Sequence, residues 1–173
     1  MNQNILREIT IGKETFHPLR YDETMFVMDW KLQPGASVPS HLHEHFDEHF
    51  LITSGVVHFK YEGKDIIKKQ GEELFVTKGA AHSVSNKSQE EISIRVTYSP
   101  CADIHKMFEI LDVLDKKNPG SAMNLVKYFY LFPRLGLKSF STPQPAAIGK
   151  ILSVAATVLG TVSGWKKLVK EFQ

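Results

Sequence analysis

The spacing of apolar residues changes near residue 100, and the change divides the chain into two predicted regions. Up to that point apolar and polar residues alternate with a period of two, which is typical of half-buried strands. The clearest case is 92–98, where two isoleucines, a valine and a tyrosine alternate with serine, arginine and threonine. Many short strands separated by glycines predict a mainly β barrel or sandwich over 1–100. The other strand-like runs are 25–32, 50–53, 56–61, 65–68 and 74–76.

Beyond residue 100 the apolar spacing becomes helical. Ser99 and Pro100 are typical of an N-cap followed by the first helical residue, and an apolar stripe follows over 104–111. We therefore predict that 101–173 is a helical extension that packs on the β-barrel or on a partner. Its predicted helices are a first ending at 116–120, a second over 122–132 ending at Pro133, and a third from Thr142-Pro143 almost to Phe172.

The amino-acid composition of the chain argues against some classes of protein. The chain has 173 residues with 21 Lys and Arg against 19 Asp and Glu, a formal net charge of +2. This balance argues against a dedicated nucleic-acid-binding protein, which needs a strong basic excess. A single cysteine, Cys101, excludes an internal disulfide, and the first ten residues lack the pattern of a signal peptide. We therefore expect a cytoplasmic protein.

Histidine and glutamate residues in the predicted strands suggest a metal site. His41 and His43 alternate, so both imidazoles point to the same face of a strand. Glu48 shares its alternation with Phe50 and Ile52, which directs a carboxylate into an apolar interior where an unpaired charge is costly. His82 begins a similar run later in the chain. Imidazoles with one carboxylate suit Fe, Mn, Ni, Zn or Cu, and match Ca or Mg poorly.

Two segments carry a family resemblance. Residues 35–55, GASVPSHLHEHFDEHFLITSG, resemble the first motif of the cupin superfamily, and 71–86, GEELFVTKGAAHSVSN, resemble the second. Thr77 replaces the usual proline of the second motif, which weakens the prediction of a turn before Gly79. The resemblance implies a double-stranded β-helix, a jelly-roll-like barrel, followed by a C-terminal α-helical extension. It also implies one divalent transition metal bound by His41, His43, Glu48 and His82.

Alternatives remain for this site. The four polar side chains could hydrogen-bond one another without a metal, as in cupins that have lost theirs. Asp47 or His45 could replace Glu48 as a ligand if the strand breaks at a different residue. The sequence assigns no catalytic residue. Its candidates are His45, which continues the alternation of the histidines, and Tyr98, which could line the pocket.

The last predicted helix is unusually apolar. Residues 151–165 contain no charge, and Lys166, Lys167 and Lys170 follow directly. We expect the helix to pack on the barrel or on a second subunit; a membrane-surface anchor with a basic flank is the alternative. A membrane span is disfavoured because the uncharged run is shorter than about 20 residues. Its apolar stripe contains Ile148, Ile151, Leu152, Ala155, Leu159 and Val162, beside the small residues Ala156, Gly160 and Gly164.

Two functions follow from the resemblance. An open metal site implies a metal-dependent oxygenase, isomerase or decarboxylase that acts on a small organic molecule. The alternative is a non-catalytic, metal-dependent module that binds or senses a small ligand, and that the C-terminal helix tethers to a membrane or a partner. The resemblance also implies a homodimer.

Overall fold

The protein contains two antiparallel sheets followed by helices, in a computed structural model that describes residues 8–139 and 141–173. One sheet has the strand order β1-β2-β3-β10-β5-β8 and the other β11-β4-β9-β6-β7. The predicted mainly β fold with a helical C-terminal region is confirmed. The strands are β1 Ile9–Ile11, β2 Glu14–Tyr21, β3 Phe26–Leu32, β4 Ser37–Leu42, β5 Asp47–Ser54, β6 Val56–Tyr61, β7 Lys64–Lys69, β8 Glu73–Val76, β9 His82–Ser85, β10 Ile92–Ser99 and β11 Thr142–Pro143.

The apolar core lies between the two sheets. In β10, every residue of the predicted apolar set is buried, and this strand pairs with β3 on one side and β5 on the other. Phe50 of the first sheet contacts Phe59 of the second, with ring centroids 5.3 Å apart. Alternation with a period of two therefore places one face of each central strand in the core.

The turn between β5 and β6 is one place where only glycine fits. Gly55 has a φ of +82°, and a Cβ atom there would lie 2.6 Å from Cγ2 of Ile92. Ile92 is buried on β10, so it cannot move away freely. Gly63, in the next hairpin, has a similar φ of +80° but open space around it.

Four helices follow the strands, and their ends differ from the prediction. They are α1 Ile104–Lys117, α2 Ala122–Leu135, α3 Ala146–Val162 and α4 Lys166–Glu171. Ser99 is not an N-cap, because it still pairs with Asp47 as the last residue of β10. Asp103 precedes α1, and its carboxylate accepts hydrogen bonds from the backbone N–H groups of Lys138 and Ser139. These bonds tie the segment after α2 to the start of α1.

Proline positions explain two further errors. Helix α2 continues through Pro133 and ends at Gly136, whose φ of +65° closes the helix. Thr142 and Pro143 do not cap a helix; they form β11, which pairs with Leu42 and His41 of β4. A proline is tolerated there because β11 is an edge strand.

Helix α3 packs on the protein through its small residues. Gly149, Ala156 and Gly160 are buried, and a Cβ atom on Gly160 would overlap the ring of Tyr130 in α2. The predicted apolar stripe points away from this contact, and most of it is exposed. The helix ends at Val162, before Gly164, instead of continuing to Phe172. Among the described residues, no helix combines the length and apolarity needed to cross a bilayer.

We expect Gly55→Ala to destabilise the protein more than Gly63→Ala. Both substitutions impose a left-handed backbone conformation on alanine, at a cost of about 1–2 kcal/mol each. Only Gly55→Ala also collides with Ile92, which adds about 1–3 kcal/mol from overpacking. Urea unfolding of both variants measures the difference. Equal losses would show that the contact with Ile92 does not constrain the turn.

Candidate metal centre

The end of the β-sheets that carries β11 brings four chemically reactive side chains together. His41 is in β4, His43 follows that strand, Glu48 is in β5 and His82 begins β9. His41 and His82 are direct partners in the β4–β9 pair. One ligand atom from each of the four residues lies within 4.8 Å of the others. The strands therefore gather residues that are up to 41 positions apart in the sequence.

Backbone carbonyls fix the tautomers of two imidazoles. Nδ1 of His41 donates a hydrogen bond to the carbonyl of Pro39 at 2.8 Å, and Nδ1 of His82 donates to that of Ala80 at 3.2 Å. A carbonyl oxygen only accepts, so each Nδ1 carries the hydrogen. In the neutral rings, Nε2 then carries a lone pair that points to the centre of the group.

The atoms at the centre lie within short distances of one another. Nε2 of His41 lies 3.1 Å from Nε2 of His43, and Nε2 of His82 lies 2.6 Å from Oε2 of Glu48. The same Glu48 oxygen is 3.5 Å from Nε2 of His43, is buried, and has no partner in hydrogen-bonding geometry. Converging lone pairs at these distances need either shared protons or a cation between them.

Either shared protons or a divalent cation can hold this group together. Hydrogen bonding alone would need one proton between Glu48 and His82 and another between His41 and His43. Burial lowers the pKa of His43 to about 3 and lowers that of His41 as well, whereas for His82 the neighbouring Glu48 carboxylate outweighs burial and raises the pKa. For Glu48, burial favours the neutral form, but His43 and His82 outweigh it and lower the pKa to about 2. The four side chains are three imidazoles and one carboxylate, the donors that a transition metal prefers.

Tyr98 lies beside the carboxylate. It is opposite Glu48 in the pairing of β10 with β5 and is buried. Burial, followed by the charge of Glu48, raises the pKa of Tyr98 well above its usual value. The phenol therefore stays protonated beside the carboxylate. Phe46 fills the space between Tyr98 and His43.

The structure separates the alternative ligands from this group. His45 is exposed in the bend between β4 and β5, because the strand ends at Leu42 and the alternation stops there. Asp47 is also exposed, and its carboxylate accepts a hydrogen bond from the backbone of Lys78. That bond supports the turn before Gly79, which forms although Thr77 replaces the usual proline.

One neighbour of the group was missed by the sequence analysis. Oγ of Ser141 lies 3.4 Å from Nδ1 of His43, in the position that a carbonyl occupies for the other two imidazoles. The N–H of Ser141 donates to the hydroxyl of Tyr128 in α2 at 2.7 Å, and Gln144 donates to the carbonyl of Ser40. The helical extension therefore supplies the outer partner of His43. In the sequence, Ser141 stands directly before the Thr-Pro pair that forms β11, and such a combination is typical of a helix cap.

Comparisons with known proteins agree with this architecture. Residues 28–98 match the family model for the cupin domain, a range that ends before the helices. The tetracenomycin polyketide synthase protein TcmJ of Streptomyces glaucescens is 27% identical over 92 residues, 53% of this chain and 61% of that protein. The oxalate-binding protein of Thermotoga maritima is 32% identical over 82 residues, 47% of this chain and 64% of that protein. The chain thus spans less than two thirds of either curated relative.

A solved structure shares the fold. KdgF from Halomonas sp. superposes with a TM-score of 0.54 at 15% identity, covering 57% of this chain and 89% of that one. At this identity the likeness establishes the fold alone.

We expect metal-free protein to be stabilised by a divalent transition metal through the four side chains. Saturation at a hundredfold excess over Kd adds about 2.7 kcal/mol to the free energy of unfolding. Glu48→Gln and His82→Ala should lose most of this increment, which thermal unfolding with and without metal measures. His49→Ala is the matched control, because His49 stacks on Phe75 outside the group. Equal increments in all variants would exclude a metal site here.

Ser141→Ala should weaken metal binding about tenfold, as loss of an outer hydrogen-bond partner of a ligating histidine commonly does. Competition with a coloured chelator gives the affinity. Ser163→Ala, at an exposed position after α3, is the control and should bind metal like the wild type. An unchanged affinity in Ser141→Ala would mean that the extension does not position His43.

Proposed function

The chain belongs to the cupin superfamily, and from that premise we propose that it binds one divalent transition metal (Fe, Mn, Ni, Zn or Cu) and presents it to a small organic molecule. The ligands in this proposal are His41, His43, Glu48 and His82. The observation that carries it is the convergence of three imidazoles and one carboxylate, with one ligand atom from each within 4.8 Å of the others.

The charge of the ligands favours an anionic molecule. Glu48 contributes one negative charge and the neutral imidazoles contribute none, so a divalent ion here keeps a net positive charge. When bound, the metal supplies Lewis-acid or redox chemistry at a coordination position that the four side chains leave open. Carboxylate or enolate oxygens match such a position. The relative from Thermotoga maritima that is named as oxalate-binding supports this class of ligand.

The activity in this proposal is a metal-dependent oxygenation, isomerisation or decarboxylation. The protein's own contribution is to hold the ligands on its paired strands, with Tyr98 opposite Glu48 on β10. Burial of His43, Glu48 and His82 limits the access of water to the centre.

Non-catalytic binding is a second candidate, and one observation favours it. Of the two side chains considered for proton transfer, His45 is exposed and Tyr98 has a pKa well above its usual value. His45 therefore lies outside the group of four, and the phenol of Tyr98 keeps its proton near neutral pH. A binding module needs no such group.

An experiment with oxalate distinguishes catalysis from non-catalytic binding. With metal-loaded protein, we expect oxalate to raise the unfolding temperature, and with metal-free protein or Glu48→Gln we expect no shift. Isotopically labelled oxalate followed by NMR shows whether it is consumed: loss of signal supports catalysis, and stabilisation without loss supports binding.

The control is His49→Ala, which should respond like the wild type. If a panel of small carboxylic and dicarbonyl compounds gives neither stabilisation nor consumption with any loaded metal, the proposed function is wrong. Metal binding itself would still stand on the unfolding measurements above.

A further inference from the structure

Helix α3 exposes a continuous apolar surface. Val162 is 84% exposed, Ile151 68% and Val154 66%, which is unusual for aliphatic side chains on one helix. Because a helix turns once in 3.6 residues, these side chains lie on the same side, opposite buried Gly149 and Gly160. We call this the α3 surface; it consists of Ala147, Ile148, Ile151, Val154, Ala155, Val158, Leu159 and Val162.

The charge around this surface has one sign. No aspartate or glutamate occurs between Asp115 and Glu171, so all 19 acidic residues of the chain lie outside that segment. Nine of the 21 basic residues lie inside it. The protein as a whole is nearly neutral, so its basic excess is concentrated in the extension. The nine are Lys116, Lys117, Lys127, Arg134, Lys138, Lys150, Lys166, Lys167 and Lys170.

We propose that the α3 surface docks on an anionic lipid bilayer, with the helix lying in the plane of the interface. Its apolar side chains would enter the boundary between headgroups and acyl chains, and exposed Lys150, Lys166 and Lys167 at its ends would contact acidic headgroups. At 17 residues the helix is about 25 Å long, which suits a helix that lies on a membrane.

The charge also argues against a second copy as the occupant. A two-fold pair would place the same segment on both sides of the contact. Because residues 116–170 contain no acidic residue, the lysines of that segment in one copy would find no carboxylate in the same segment of the other. A surface rich in acidic lipid supplies the missing negative charge.

The helix is held firmly enough to present this surface. Gly160 lies against the ring of Tyr130, which also packs edge-on against Trp165 and stacks with the guanidinium of Arg134. At the other end, Gly149 packs on Pro143 of β11. These contacts use the inner face, so a substitution on the outer face leaves them intact.

Vesicle sedimentation of the full chain tests the proposal. We expect binding to vesicles of phosphatidylcholine mixed with phosphatidylserine, and much weaker binding to phosphatidylcholine alone. Val158→Glu and Val162→Glu should each reduce binding to mixed vesicles more than tenfold. Ile67→Glu is the matched control, because Ile67 is an aliphatic residue 54% exposed on β7, and it should bind like the wild type.

The contribution of the lysines to vesicle binding is tested separately. Lys166→Gln with Lys167→Gln should weaken binding to mixed vesicles about fivefold for each lysine, with a smaller effect at high salt. Circular dichroism checks folding, and if Val158→Glu unfolds, Val162→Glu at 84% exposure carries the apolar test.

Three outcomes would overturn the proposal: no binding to either vesicle, equal binding to both, or unchanged binding by Val162→Glu. Light scattering identifies the rival occupant. If the wild type is a dimer that Val162→Glu converts to monomers and that ignores vesicles, the α3 surface is a subunit interface.

Discussion

The convergence of four ligand atoms, three of them on buried side chains, is the constraint on which this end of the molecule depends. His41, His43 and His82 direct ring nitrogens at one small space, and Glu48 adds a negative charge to it. Burial makes protonation of His41 and His43 unfavourable, so these two rings do not balance the charge of Glu48 by taking up protons. The pairing of β4 with β9 and of β5 with β10 holds the four side chains together. A preorganised site of this kind lowers the free energy of unfolding of the metal-free protein, and cation binding raises it again.

Much of the sheet architecture was predictable because it follows from local pattern. Alternation identified β10 and the inward direction of Glu48, and two motifs grouped the residues of the candidate centre. The prediction weakened at positions where tertiary context decides. Ser99 and Thr142 each precede a proline and resemble helix caps, yet both belong to strands, because a hydrogen-bonding neighbour was available to each. No sequence signal links Ser141 to His43, since 98 residues separate them.

Helix α3 shows a second limit of pattern analysis. An apolar stripe predicts which side of a helix avoids water, but it does not predict what the helix will contact. Here the ring of Tyr130 needs close approach to a backbone, and only the side with Gly160 permits it. The small residues therefore form the contact with α2, and the larger aliphatic residues remain exposed. The helix therefore packs closely through its small residues, whereas an amphipathic helix usually buries its apolar stripe.

Because Ser141 contacts His43, docking of the helical extension is thermodynamically coupled to cation binding at the candidate centre. If docking of the extension strengthens cation binding by some factor, cation binding must strengthen docking by the same factor, whichever event occurs first. The clamp of Asp103 on the segment before Ser141 extends this reciprocity to α1. Any ligand that pulled the helices away from the strands would then act as an antagonist of the cation, without ever touching it.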